Sequence, residues 1–293
     1  MAVAVLIVNY RSYRALEICL ASLTRWLSPD DEVAVVDWES DSGLLEPLRE
    51  KFASVQWLSR PDNSGFAAGV NMAAALTAAP TLLLLNPDSV VDGPVGRILE
   101  KWLSTHPQCA AAGPQILDKH GKLQASARRF PDVTTMLGGR TSWLTSRFPG
   151  NWFTRRNLLM AVEGEYAVVD WLSGACLATP RSVFMKLGGL DEGFFLYWED
   201  ADYGRRASDH GYESHYVPAA GVVRHVTGVS SSQAPVLSIR AFHRSAARLF
   251  WKHAGAGRVL APLVSLGLWL RGEVQIGVSR LSRAFRKPNQ RPD

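Results

Sequence analysis

Four short runs rich in Val, Leu and Ile, at Val3 to Val8, Glu32 to Val36, Val55 to Leu58 and Thr81 to Leu85, alternate with stretches of helical length. Strands this apolar are buried on both faces, and strands joined through helices pair in parallel, so the alternation predicts a parallel α/β sheet. The intervening helices are expected at about Tyr13 to Trp26, Gly43 to Phe52 and Ala67 to Ala78, with Pro29-Asp30-Asp31 as a turn. Beyond Asp92 the pattern is mixed. A helix is expected at about Val95 to Thr105, a strand near Ala110 to Ile116, and a strand at Val168 to Leu172. Helices at about Pro180 to Lys186 and Asp200 to Asp209, a strand around Ser214 to Val217 and a mainly helical Pro235 to Phe285 complete the prediction. Between Arg128 and Glu165 lies a poorly periodic segment rich in Arg, Trp and Phe, of the kind that more often shapes a lid or acceptor site than fills space.

A chain of 293 residues, 47% hydrophobic and 20% charged, without a Gly-X-Y period, heptads or a long repeat, excludes disordered, collagenous, coiled-coil and solenoid readings. Cys19, Cys109 and Cys176 are too few and too scattered for a disulfide framework or a C-x-x-C knuckle, and reduced buried thiols are expected. The first residues lack a basic n-region and their apolar run stops at Asn9, which reads as a buried strand rather than a signal peptide. The best candidate for a bilayer span, Val259 to Leu270, is about a dozen residues where roughly twenty are needed, so no crossing is expected.

In open α/β sheets, ligands sit beyond the carboxyl ends of the strands. Three of those ends turn polar at once: Asn9-Tyr10, Asp37, and Asn86-Pro87-Asp88. One would be an ordinary turn, but three bordering one crevice favour a ligand site. Neither G-x-G-x-x-G nor G-x-x-x-x-G-K-[ST] occurs where the strands would place it, which argues against nicotinamide and P-loop chemistry. The run Asn63-Ser64-Gly65-Phe66-Ala67-Ala68-Gly69-Val70-Asn71 opens a helix, where small residues either admit a ligand close to the backbone or simply pack. Asp88 suits a hard divalent cation held against diphosphate oxygens, or an Asx turn after Pro87. His225 completes such a site or is a polar core residue.

Tyr197-Trp198-Glu199-Asp200-Ala201-Asp202-Tyr203 sets three carboxylates in four residues beside aromatics. Acids there complement a helix N-terminus, with Asp200 as N-cap. The half-apolar surroundings, which include Phe194 and Phe195, are also those that tune a general base.

These residues resemble glycosyltransferase family 2, and within it the bacterial rhamnosyltransferase-like members. The resemblance runs from Val3 to about Ser231. It rests on Ile7-Val8-Asn9-Tyr10, Val35-Val36-Asp37, the Asn63 to Asn71 run, Asn86-Pro87-Asp88, Gly188-Gly189-Leu190-Asp191-Glu192-Gly193-Phe194-Phe195, Glu199-Asp200 and His225. It implies a GT-A fold, a Rossmann-like mixed sheet flanked by helices. A nucleotide half at about 1–92 and an acceptor half at about 93–232 would be followed by a basic helical extension, 233–293. It implies that Val8, Asn9, Tyr10, Asp37, Asn63, Gly65, Gly69, Asn71, Asn86 and Asp88 bind a nucleotide-sugar, with Asp37 facing the pyrimidine edge. Asp88 stands where the family's D-x-D motif binds Mg2+ or Mn2+, His225 where some members add a ligand, and Asp200, beside Glu199, where they keep the catalytic base. Two positions depart from the common pattern: Asn86 replaces the first acid of D-x-D, and Trp38 stands where many relatives have Asn.

The reaction so implied is inverting transfer of L-rhamnose from dTDP-rhamnose to a growing cell-surface glycan. The alternatives are a UDP-sugar donor such as a galactofuranosyl one, or a silent sugar-nucleotide-binding scaffold. Charge distribution bears on the partner. From Arg240 onward there are 11 Lys and Arg against 2 acids, whereas the preceding residues hold 21 against 25. A cationic tail bearing Trp251, Trp269 and Leu270 suits an interfacial helix on an anionic membrane and a polyprenyl-diphosphate-linked acceptor, or else a helical bundle packed on the core. No nucleic-acid recognition motif is present. The expected location is cytoplasmic, peripheral on the inner face of the membrane.

Overall fold

The computed structural model describes residues 1–39, 41–130, 164–225 and 235–285. Strands β1 (Val3–Tyr10), β2 (Glu32–Trp38), β3 (Gln56–Arg60) and β4 (Thr81–Leu85) alternate with helices α1 (Tyr13–Leu23), α2 (Ser42–Lys51) and α3 (Phe66–Ala75). The four strands pair in parallel in the order β3-β2-β1-β4, as the alternation of runs predicts. Along β1 the side chains divide by parity. Val3, Val5 and Ile7 join the core built with Leu16 and Leu20 of α1 and Leu45 and Leu48 of α2. Ala4, Leu6 and Val8 face Ala67, Val70 and Ala73 of α3. Strands β1, β2 and β4 are therefore buried on both faces over most of their length, whereas the edge strand β3 is only half-buried.

After β5 (Ser89–Asp92) and α4 (Val95–Thr105) the chain forms β6 (Cys109–Gly113) and β7 (Gln115–Leu117). A single strand was expected here. Pro114 has no N–H to give a ladder, and the chain switches sheets at that point. The short strands β8 (Ala127–Arg128), β9 (Ala167–Val169) and β10 (Trp171–Leu172) follow, and the strand expected at Val168 to Leu172 is likewise split, at Asp170. Next come β11 (Cys176–Pro180), α5 (Arg181–Lys186), α6 (Glu199–Asp209), β12 (Glu213–Tyr216) and β13 (Val222–His225). Strand β11 inserts antiparallel between β4 and β6, and the main sheet reads β3-β2-β1-β4-β11-β6-β12-β9. A smaller sheet, β5-β13-β7, stands His225 opposite Ser89. Most of the segment expected to shape an acceptor site, 131–163, lies outside the described residues, as does the expected domain boundary at 232.

Two helices close the chain, α7 (Pro235–His253) and α8 (Ala261–Phe285). Helix α7 is bound by charge to α6 and the segment before it. Asp191 pairs with Arg248 at 2.9 Å and Lys252 at 2.7 Å. Buried Asp202 is met by Arg206, Lys252 and His253 within 2.8 Å. Burial opposes ionisation of Asp191, but Lys252, the Gly193 N–H and Arg248 outweigh it and hold its pKa down to about 2. Helix α8 packs back along α7, with Gly272 against the His243 ring and Ile276 buried. The apolar segment is longer than expected: Gly255–Arg280, 26 residues, is long and apolar enough by length and composition to cross a membrane. Arg271 and Glu273 end the apolar run in the sequence without ending the helix, and Glu273 is paired with Arg240 of α7 at 3.1 Å.

Candidate active site

The carboxyl ends of β1, β2 and β4 lie side by side, as strand order requires. Asn9 donates to Asp37 Oδ1 at 2.6 Å, and the Tyr13 hydroxyl of α1 meets Asp37 Oδ2 at 3.2 Å. Both Asn9 and Asp37 are 0% exposed. The Asp37 carboxylate thus meets Asn9 and Tyr13 at the end of β2. Tyr10 is half-buried, with the Arg11 guanidinium over its ring at 5.2 Å. Arg11 and Glu39, which follow the two strand ends, are both in the left-handed region and form an ion pair. Strained backbone of this kind persists where the surroundings over-determine it, and such places cluster at ligand clamps.

The Asn63 to Asn71 run divides its labour. Asn63 Oδ1 accepts from the Gly65 N–H at 2.9 Å, forming an Asx turn. Gly65 has φ +97°, and a Cβ there would lie 2.3 Å from the Phe195 carbonyl oxygen, so glycine is required for the loop to touch the acceptor half. Gly69 is a packing residue: a Cβ would meet the Val8 methyls at 2.7 Å and the Trp38 indole nitrogen at 3.2 Å. Trp38 is accordingly a buried core residue beneath the strand ends. Asn71 spends its amide on the other half, accepting from the Leu190 N–H and donating to the Leu190 carbonyl and Glu192, each at 2.9 Å. Gly189, at φ +70°, allows this, because a Cβ would lie 2.6 Å from Asn71 Oδ1. Asn71 ties α3 to the Leu190–Glu192 segment.

Asn86 and Asp88 follow β4. Asp88 Oδ1 is 3.0 Å from His225 Nε2, and Asn86 Nδ2 is 3.2 Å from the same nitrogen. Asp88 and His225 are each 9% exposed. Among the described residues no group of three or more His, Cys, Asp or Glu side chains is arranged for a metal, so these two provide a partial set. The Asp88 carboxylate offers the oxygen ligand that Mg2+ and Mn2+ take beside substrate phosphates, and the His225 imidazole is the softer member of the pair.

Asp200 is linked to that strand end through the turn before β11. Its Oδ2 accepts from the Gly174 N–H at 3.0 Å, and the carbonyl of the next residue, Ala175, accepts from the Asn86 N–H at 3.0 Å. The turn before β11 thus ties the carboxylate at the start of α6 to the strand end that carries Asp88. The expected N-cap role of Asp200 is not observed. Helix α6 begins at Glu199, after Tyr197 and Trp198 at φ +67° and +71°, and Asp200 Oδ1 accepts from the Ala201 N–H. Burial pushes the Asp200 pKa up, opposed by the Gly174 N–H and by Arg128. Burial, then the charges of Asp200 and Asp202, push Glu199 well above the ordinary carboxylate value, and Glu199 Oε2 is buried without a partner. A small cavity lined by Phe66, Gly174, Phe184, Glu199, Asp200 and Tyr203 adjoins the pair. A carboxylate so placed is suited to accept a proton near neutral pH.

A family model described as "Glycosyltransferase like family 2" matches residues 1–242. The chain belongs to that family. It is 32% identical over 254 residues, 82% of this chain and 81% of the relative, to N-acetylglucosaminyl-diphospho-decaprenol L-rhamnosyltransferase of Mycobacterium tuberculosis. It is 27% identical over 210 residues, 66% of this chain and 73% of the relative, to rhamnosyltransferase WbbL of Escherichia coli. Among solved structures it resembles the mannosyltransferase PcManGT of Pyrobaculum calidifontis in complex with GDP-Man and Mn2+. That match has a TM-score of 0.55 and 16% identity, over 98% of this chain and 81% of that one. The family 2 chain is a glycosyltransferase with the GT-A fold, and the mixed sheet above is that fold.

Several residues of this glycosyltransferase site had no signal in the sequence. Tyr13 and Gly174 act through a hydroxyl and a backbone N–H, and nothing in their neighbours marks them. Gln124, which touches His225 twice, lies in an irregular segment between β7 and β8.

Proposed function

We propose that the protein is an inverting, metal-dependent rhamnosyltransferase that moves L-rhamnose from dTDP-rhamnose to a polyprenyl-diphosphate-linked or growing cell-surface glycan, working at the inner face of the cytoplasmic membrane. The observation that carries it is the Gly174-Ala175 turn, which joins Asp200 to the Asn86-Asp88 strand end. The names of the relatives in M. tuberculosis and E. coli support the sugar, and the first of them supports a lipid diphosphate acceptor.

Asp200 takes the proton of an acceptor hydroxyl. The hydroxyl oxygen forms its bond to the anomeric carbon as that carbon's bond to the diphosphate oxygen breaks, and the electron pair leaves with the nucleotide. A single displacement inverts configuration. Asp88 and His225 would hold Mg2+ or Mn2+ with the donor phosphates, and the bound cation supplies charge neutralisation for the departing diphosphate. Burial raises both carboxyls, Glu199 further by the charges of Asp200 and Asp202, while the Gly174 N–H and Arg128 favour the ionised form of Asp200. With Asn9 and Asp37 enclosed, the Tyr10 ring is the part of that strand end left to meet a base, and the other two brace it.

The extension supplies the surface. Val259, Leu260, Leu263, Leu266, Trp269, Leu270, Val274 and Val278 are all exposed, at helical spacing along one side of the closing segment. Arg258, Arg271 and Arg280 lie in the same stretch, as an anionic interface requires.

The deciding experiment offers purified protein a panel of dTDP- and UDP-sugars with Mn2+ and a polyprenyl-diphosphate-linked acceptor. Transfer from dTDP-rhamnose with inverted configuration is the expected outcome. Transfer from a UDP-sugar alone would move the reading to another donor, and donor binding without transfer to any acceptor would favour a scaffold.

A further inference from the structure

His225 has two ring nitrogens, and only a nitrogen without a proton can take a metal. Which nitrogen that is follows from the groups around the ring. The side chain of Gln124 donates from Nε2 to the backbone carbonyl of His225 at 2.8 Å. A carbonyl only accepts, so the amide orientation of Gln124 is settled by chemistry: its nitrogen faces the carbonyl and its oxygen faces the ring. Gln124 Oε1 is 3.2 Å from His225 Nδ1. An amide oxygen only accepts, so Nδ1 must carry the proton.

The opposite side of the ring agrees. Asn86 Nδ2 is 3.2 Å from Nε2 and donates to it when that nitrogen is bare. Asp88 Oδ1 lies 3.0 Å from the same nitrogen, the spacing of an ion pair when Nε2 also carries a proton, and a divalent cation bound here would take that proton's place. Gln124 is itself anchored, its N–H donating to the Ile116 carbonyl and its carbonyl accepting from the Ser126 N–H, each at 2.8 Å.

We propose that Gln124 is the positioning residue of this site, a two-point clamp that holds His225 in the Nδ1–H tautomer and aims Nε2 at Asp88 as a ligand for a divalent cation. The inference rests on the metal reading of Asp88 and His225 given above. Its tautomer half stands independently of that reading. Outer groups that orient a ligating histidine typically change metal affinity about 10- to 100-fold when removed.

The test uses the full chain, metal-free, with two variants. Gln124→Leu removes both contacts at similar volume. Gln124→Glu keeps an oxygen that accepts from Nδ1–H and loses the donor to the carbonyl. Long-range 1H–15N correlation spectra report the His225 tautomer, Mn2+ titration followed by electron paramagnetic resonance reports affinity, and thermal unfolding checks that each variant is folded. The expected result is the Nδ1–H tautomer in the wild type and its loss in Gln124→Leu, with Mn2+ affinity down about 10- to 100-fold. Gln124→Glu should keep the tautomer and recover most of the affinity. An Nε2–H tautomer in the wild type, or a folded Gln124→Leu with unchanged tautomer and affinity, overturns the proposal. If the wild type takes up no Mn2+, or His225→Ala binds it equally well, the metal reading fails, and the spectra of Gln124→Leu still decide whether the clamp exists.

Discussion

Gly174 donates its backbone N–H to Asp200 Oδ2 at 3.0 Å, which fixes the carboxylate of α6 against the turn that enters the central sheet. The contact needs an acceptor at that oxygen position and not a charge, so the geometry survives substitution by a neutral isostere. Asp200→Asn should fold and bind donor as the wild type does, because its amide oxygen still accepts from Gly174. Transfer should fall by about 10²- to 10⁴-fold with the loss of the base. Product formation and donor calorimetry measured on the same preparation separate the two effects. Unchanged transfer would remove Asp200 from the chemistry.

Glu199 gives a stability effect with a definite sign. Burial, then Asp200 and Asp202, raise its native pKa, so the folded protein keeps a proton that the unfolded chain releases above about pH 4.3. The native state binds more protons in that window, and stability falls as pH rises through it toward the folded value. Glu199→Gln abolishes this loss. The melting temperature of the variant relative to wild type should rise as pH increases from about 4 toward the folded value. A wild type that gains on the variant with pH would mean that Glu199 is ionised and paired in the native state.

The strand half of the fold was legible because β1, β2 and β4 are buried on both faces, which leaves a near-continuous apolar run as their signature, and β3 follows from the alternation with helices. Strands β11 and β13 were not legible. Cys176–Pro180 ends in a proline and Val222–His225 is four residues long, so neither shows a period, and both are held by neighbours distant in sequence. Asn86, Asp88 and Asp200 were legible as candidates because a polar or acidic group there coincides with a strand end or a helix start. The contacts of Asn71 with Leu190 and Glu192 and of Gly69 with Val8 and Trp38 were not legible, because they form only once segments distant in sequence meet.

Helix α7 buttresses the turn that presents the base. Ser245 Oγ donates to the Leu196 carbonyl at 3.0 Å, and the Phe242 ring lies 5.3 Å from Trp198 and 5.8 Å from Tyr197, the two left-handed residues before Glu199. Misplacing a catalytic group by about 1 Å costs on the order of 10²-fold in rate. Phe242→Ala combined with Ser245→Ala should therefore lower kcat while leaving the KM for donor near the wild-type value, since the nucleotide half is untouched. A rise in donor KM with unchanged kcat would show that α7 acts elsewhere. Melting curves distinguish either result from simple unfolding.

The exposed apolar stripe of α8 and the tie of α7 to the base make separable demands on the extension. Leu263→Gln, Leu266→Gln and Leu270→Gln together alter only exposed side chains, leaving the buried Ile276 and the Gly272 contact with His243 in place. Each substitution removes apolar area that would otherwise enter the acyl boundary, and the arginines remain to give a weaker, salt-screened attraction. The triple variant should lose sedimentation with vesicles containing anionic lipid, yet transfer sugar to a short water-soluble acceptor at the wild-type rate. Deletion from Pro235 onward should abolish both, because it also removes Ser245, Arg248 and Lys252 from the catalytic half. Vesicle binding by the triple variant equal to wild type would mean that this face of α8 is not what meets the membrane.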